Sequence, residues 1–115
     1  MEIVDSKAGD ILVLAFKGRL DPHTSPAAHQ RLFRWIDAGE QRLVADLSAL
    51  DYISSAGLCL FLLAARRLKA AGGKLVFCSL SEPVREIFDI AGFGDLFLIY
   101  PGRAEALASF AQQAS

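Results

Sequence analysis

Asp46-Leu47-Ser48-Ala49-Leu50-Asp51-Tyr52-Ile53-Ser54-Ser55-Ala56-Gly57-Leu58 contains the change of rhythm on which the fold turns. Leu43, Val44 and Ala45 run into it, and with Asp46 and Leu47 they predict a core strand over residues 43–47. Beyond it, the apolar residues of 55–71 read as one helix. Arg66, Arg67 and Lys69 suit the carbonyl end of its dipole, and Gly72-Gly73 supplies a left-handed cap. Residues 48–53 read as a polar loop between them, so Ser54 and Ser55 stand where the helix begins.

Toward the N-terminus, the unbroken apolar run of residues 11–16 predicts a strand covered on both faces. A short strand over 2–6 folds back on it through Lys7-Ala8-Gly9-Asp10. After Gly18-Arg19-Leu20-Asp21 a helix is expected with Ser25 as N-cap and Pro26 at the first helical position, carrying Ala28, Leu32, Trp35 and Ile36 at helical spacing and ending at Gly39. Toward the C-terminus, residues 74–80 read as a strand. Ser81 caps a helix presenting Val84, Ile87, Phe88 and Ala91, which Gly92 stops. A last strand over 96–100 and a helix over 103–112 complete the chain. A hairpin followed by alternating strand and helix is the pattern of an α/β domain: a mostly parallel sheet with an antiparallel N-terminal hairpin strand and about four helices.

With 115 residues, the chain makes a single domain over 1–115. It is 53% hydrophobic and 22% charged, which excludes disorder and leaves apolar surface for a partner. A net charge of −1 gives no basic face for nucleic acid. The start lacks a basic then apolar leader, and the apolar stretch 56–65 is too short to span a bilayer, so the expected place is the cytoplasm without membrane insertion. Cys59 and Cys78 read as buried free thiols in a reducing compartment. His23 and His29 lack companion ligands for a metal, and Gly72-Gly73 follows a helix where a phosphate loop would precede one, so no cofactor is expected. Asp21, His23 and Ser55 could be arranged as a hydrolase triad, but no Gly-x-Ser-x-Gly elbow presents the serine. Their plainer use is in starting helices, and no enzyme is expected.

Ser54 and Ser55 have two readings. A serine at the start of a helix is an ordinary N-cap, with Asp46 and Asp51 fixing the turn before it. The same place tolerates a phosphate best, because free amides and the positive end of the dipole point at it.

The segment 46–58, the loop Gly18-Arg19-Leu20-Asp21-Pro22-His23-Thr24 and the tail from Val84 to Gly94 and on through Leu96-Phe97-Leu98-Ile99-Tyr100 together resemble the STAS family over essentially the whole chain. Within that family the nearest likeness is to the bacterial anti-sigma factor antagonists. The resemblance implies a non-catalytic partner-switching protein that binds an anti-sigma serine kinase, is switched off by serine phosphorylation at this helix, and is reset by a serine phosphatase. A weak homodimer is compatible with it. Carried over by position, the partner-binding residues are Asp21, Thr24, Tyr52, Ser54, Ser55, Ala56 and Gly57. Phosphorylated members commonly have Asp-Ser-Ser-Gly where this chain has Ser54-Ser55-Ala56-Gly57, which puts Ala56 in the acceptor slot. Ser55 is then the first candidate acceptor and Ser54 the second. The departure keeps open an alternative, a non-phosphorylated structural STAS subunit of a phospholipid-transport ATPase complex. A STAS segment of an anion transporter is disfavoured, because no membrane span precedes it in the sequence.

Overall fold

The computed structural model of the chain describes residues 1–111. The elements follow as β1 (Glu2–Ala8), β2 (Ile11–Leu20), α1 (Ser25–Asp37), β3 (Arg42–Ile53), α2 (Ser55–Ala70), β4 (Lys74–Cys78), α3 (Glu82–Ile90), β5 (Leu98–Tyr100) and α4 (Arg103–Ala111). They build one five-stranded sheet in the order β1-β2-β3-β4-β5. β1 runs antiparallel to β2 across the Gly9-Asp10 turn, and the other pairings are parallel. The expected α/β architecture is the one observed.

Successive strand residues point to opposite faces, and both faces are covered. Leu12, Leu14 and Phe16 of β2, Leu43, Ala45 and Leu47 of β3 and Leu75 and Phe77 of β4 share a core with Ala28, Leu32 and Ile36 of α1, Leu60, Phe61, Ala64 and Leu68 of α2, and Val84 and Phe88 of α3. Val13, Val44, Val76 and Cys78 form a smaller cluster on the other face, roofed by Ala106 and Phe110 of α4.

Several expected boundaries move, each for a physical reason. The loop foreseen over 48–53 is strand: β3 continues to Ile53 because β2 continues beside it to Leu20. Partners shift from Ala15↔Asp46 to Lys17↔Ala49 and again from Gly18↔Leu50 to Arg19↔Tyr52, so β3 carries an extra residue at each irregularity. Buried Leu47, Leu50 and Ile53 are therefore spaced by three instead of two, which hides the strand from a period-two reading. β4 stops at Cys78, short of residue 80, because Ser79 turns to φ 59°. The stretch 96–97 belongs to the turn before β5, with the Phe97 amide donating to the Phe93 carbonyl at 3.1 Å. Ser25 is not the N-cap of α1. Thr24 holds that position, and Ser25 is a buried first-turn residue whose hydroxyl finds no partner among the described residues. Cys78 is buried as expected, but Cys59 is exposed. The end of the last helix foreseen at Gln112 lies outside the described residues. Among those residues no helix is long and apolar enough to cross a membrane.

Candidate functional site

The ends of β2 and β3 carry the candidate residues to one corner of the sheet. Arg19 pairs with Tyr52 and Leu20 with Ile53, and the Ser54 amide donates to the Leu20 carbonyl at 2.8 Å. This hydrogen bond ties the Asp21 loop to the start of α2. The Arg19 guanidinium lies over the Tyr52 ring at 4.4 Å from its centroid and reaches to 3.9 Å from the Asp21 carboxylate. Sequence reasoning missed Arg19 as part of the site; its register opposite Tyr52 becomes visible only once the second irregularity in β3 is known.

Asp21 organises its own loop. Its carboxylate accepts the amides of His23 at 2.9 Å and Thr24 at 3.0 Å, while the Thr24 hydroxyl donates to the Arg19 carbonyl at 2.8 Å and accepts the Asp21 amide at 2.9 Å. The Thr24 amide outweighs the opposing effect of desolvation, and with help from His23 and the Thr24 hydroxyl it holds the carboxyl below its ordinary range. Asp21 is a fixed negative charge on the rim of this corner.

The two serines differ sharply. Ser54 is the N-cap of α2, in extended backbone. Its hydroxyl accepts the Gly57 amide at 3.4 Å, and the residue is only 9% exposed. Ser55, the first residue of the helix, is exposed, and its hydroxyl has no hydrogen bond among the described residues. The first turn of α2 holds no acidic residue, and the amides of Ser55 and Ala56 precede the helical ladder, so an anion placed there is favoured. Gly57 has to be glycine for close packing: a Cβ there would meet Ile53 Cγ1 at 2.7 Å and Leu20 Cγ at 2.8 Å. Ala56 is half-buried and lines a shallow groove with Pro22, Pro26, His29, Cys59 and Leu63. Asp21, Thr24, Tyr52, Ser55, Ala56 and Gly57 thus gather at one corner, with Ser54 turned inward beneath them.

Asp46 belongs elsewhere. It follows Val44 on the α4 face, where its carboxylate accepts the Ser48 amide at 3.0 Å and the Arg103 guanidinium at 2.7 and 3.1 Å. Burial pushes this carboxyl up, but the Ser48 amide and Arg103 more than offset that and leave it below its ordinary value. A carboxyl whose folded pKa is depressed contributes stability in full above its unfolded pKa and loses it as the pH falls through the folded one. The urea midpoint of Asp46→Asn should therefore lie below that of the unaltered chain by a constant gap above about pH 5, and the gap should close below about pH 4. A gap independent of pH would show that the charge contributes nothing.

The STAS domain family model matches residues 2–106. BtrV of Bordetella bronchiseptica, a candidate anti-sigma factor antagonist, is 38% identical over 110 residues, 96% of this chain and 95% of BtrV. The anti-sigma F factor antagonist of Paenibacillus polymyxa is 26% identical over 98 residues, 84% of each chain. The anti-sigma factor antagonist SpoIIAA, solved in its unphosphorylated form, superposes with a TM-score of 0.82 at 21% identity over 96% of this chain and 97% of that one. Bacillus SpoIIAA in its phosphorylated form gives 0.73 at 21% identity, over 95% and 99%.

Proposed function

Because the chain belongs to the STAS domain family, we propose that it is an anti-sigma factor antagonist that docks an anti-sigma serine kinase through the corner formed by Asp21, Thr24, Tyr52, Ser55, Ala56 and Gly57. In this reading the kinase phosphorylates Ser55, the phosphorylated form lets go, and a serine phosphatase restores binding. The protein is substrate and partner in this cycle, not a catalyst.

The observation that carries the proposal is the division of labour at the start of α2: Ser54 is buried in capping the Gly57 amide, and Ser55 stands exposed beside the amides that precede the helical ladder. The names borne by BtrV and the Paenibacillus protein support the partner class, and SpoIIAA, a protein of like fold, exists in both phosphorylated and unphosphorylated forms. A phosphate adds roughly −1.5 to −2 charges at pH 7 without unfolding a helix whose dipole welcomes it. Because Arg19 and Asp21 offset one another there, the phosphate sets the sign of the docking corner and turns it negative.

The test is the affinity of the intact chain for the anti-sigma kinases of its own genome, measured by calorimetry. Ser55→Asp adds a charge that favours the helix, so the domain stays folded while binding falls by about tenfold or more. Unchanged affinity in Ser55→Asp would sink the electrostatic switch. Failure of every kinase to bind the unaltered chain would favour a structural subunit of a lipid-transport ATPase complex.

A further inference from the structure

We propose that α4 is a clasp that opens as a unit while the rest of the domain stays folded, with the Arg103–Asp46 pair as its catch and the Cys78 thiol beneath it. The two faces of the sheet are held by separate cores. The larger one joins α1, α2 and α3 to the sheet and takes no buried residue from α4. On the other face, α4 contributes Ala106 and Phe110 as buried apolar residues, with Leu107 partly buried, over Val13, Val44, Val76 and Cys78. Much of the rest of the helix, including Ala104, Glu105 and Ala108, faces solvent. So small an apolar contact leaves the polar fastenings at the two ends to decide whether the helix stays down.

Those fastenings are visible. At the start of α4, Arg103 places both Nε and Nη2 on Asp46 Oδ2, at 3.1 and 2.7 Å. Near its other end, Lys74 Nζ lies 4.9 Å from the centre of the Phe110 ring. The Arg103 side chain is 46% exposed while that of Asp46 is 8% exposed, so the helix contributes the solvated half of the catch and the sheet the buried half. Asp46 and Cys78 are register partners on neighbouring strands, so the catch sits directly beside the thiol. Cys78 is fully buried, and desolvation raises its pKa, which keeps it unreactive while the clasp is shut. Opening uncovers three valines and a thiol on an otherwise intact sheet.

The experiment is alkylation of Cys78 by N-ethylmaleimide in the full chain carrying Cys59→Ser, which removes the exposed thiol. Labelling is followed by intact mass at increasing sub-denaturing urea. Local opening gives a rate nearly independent of urea at low concentrations. Arg103→Gln should raise that rate on the order of tenfold or more, the loss expected for a charge-assisted pair in which two donors share one carboxylate oxygen, and Arg103→Lys should fall between. Leu32→Ala, which weakens the other core, should leave the low-urea rate unchanged while lowering the global midpoint. The proposal is overturned if labelling follows global unfolding in its urea dependence and accelerates in Leu32→Ala as the midpoint falls. It is overturned equally if Arg103→Gln labels no faster than the parent.

Discussion

Ser55→Ala should take up no phosphate from an anti-sigma kinase and ATP while folding as stably as the parent, and Ser54→Ala should do the reverse. The contrast follows from where the two hydroxyls point. Ser54 accepts the Gly57 amide and is 9% exposed, so a kinase would have to unwind the first turn of α2 to reach it. Replacing it removes an N-cap, at a cost of about 1 kcal/mol, within a range of roughly 0.5–2 kcal/mol. Ser55 has no such bond to lose, and surface changes of this kind stay within about 0.5 kcal/mol. Intact-mass spectrometry after incubation with kinase and ATP, paired with urea unfolding, reads both halves. Phosphate retained by Ser55→Ala and absent from Ser54→Ala would move the acceptor to the capping residue and refute the geometric argument. Ala56, which stands in the slot of the Asp-Ser-Ser-Gly pattern, offers no hydroxyl, and the proposed switch therefore uses the hydroxyl one residue earlier on the helix.

The order of elements was legible because each signal is local. Apolar runs mark strands covered on both faces, and Gly39, Gly72 and Gly92 follow their helices at φ values of 102°, 83° and 76°. What stayed hidden depends on partners distant in sequence. The sequence alone ends β3 at Leu47, because its irregularities have meaning only against β2. Ser81 looked like a cap and does occupy the N-cap position of α3, yet its hydroxyl donates across 31 residues to the Leu50 carbonyl at 3.0 Å. Asp46 looked like a turn residue, and its bond to the Ser48 amide agrees, but its ion pair with Arg103 spans 57 residues. Pro26 suggests the first helical position and occupies the second, which it fits equally well, because the Asp21 and Thr24 turn starts the helix at Ser25. At the candidate site, the sequence marked the residues of the corner. Only the structure separates an inward Ser54 from an outward Ser55, because the hydroxyl that caps depends on where Gly57 is forced to sit.

Phe77→Ala should cost about 3–5 kcal/mol, the largest stability loss of any single change considered for this chain. Phe77 lies on β4 between β3 and β5 and is wholly buried. Its ring meets Phe61 of α2 at 5.0 Å, Phe88 of α3 at 5.8 Å and Phe97 at 4.8 Å, and Phe61 continues the contact to Phe16 of β2 at 5.2 Å. Most of these pairs are edge-to-face, the arrangement in which a ring contributes beyond its buried area. Removing the central ring leaves a cavity bounded by two helices and a sheet that are each held by other contacts, so the site cannot collapse to fill it. Against a total stability of roughly 5–15 kcal/mol, such a loss brings the domain near its limit. Because Phe61 sits on α2, the loss also loosens the helix whose first turn presents Ser55. Urea unfolding at neutral pH measures the effect. Ile90→Ala is the control, since Ile90 is 81% exposed and its loss should register within about 0.5 kcal/mol. A cost below about 2 kcal/mol for Phe77→Ala would mean that α2 and α3 close over the gap, and the ring cluster would then not be what fixes their position.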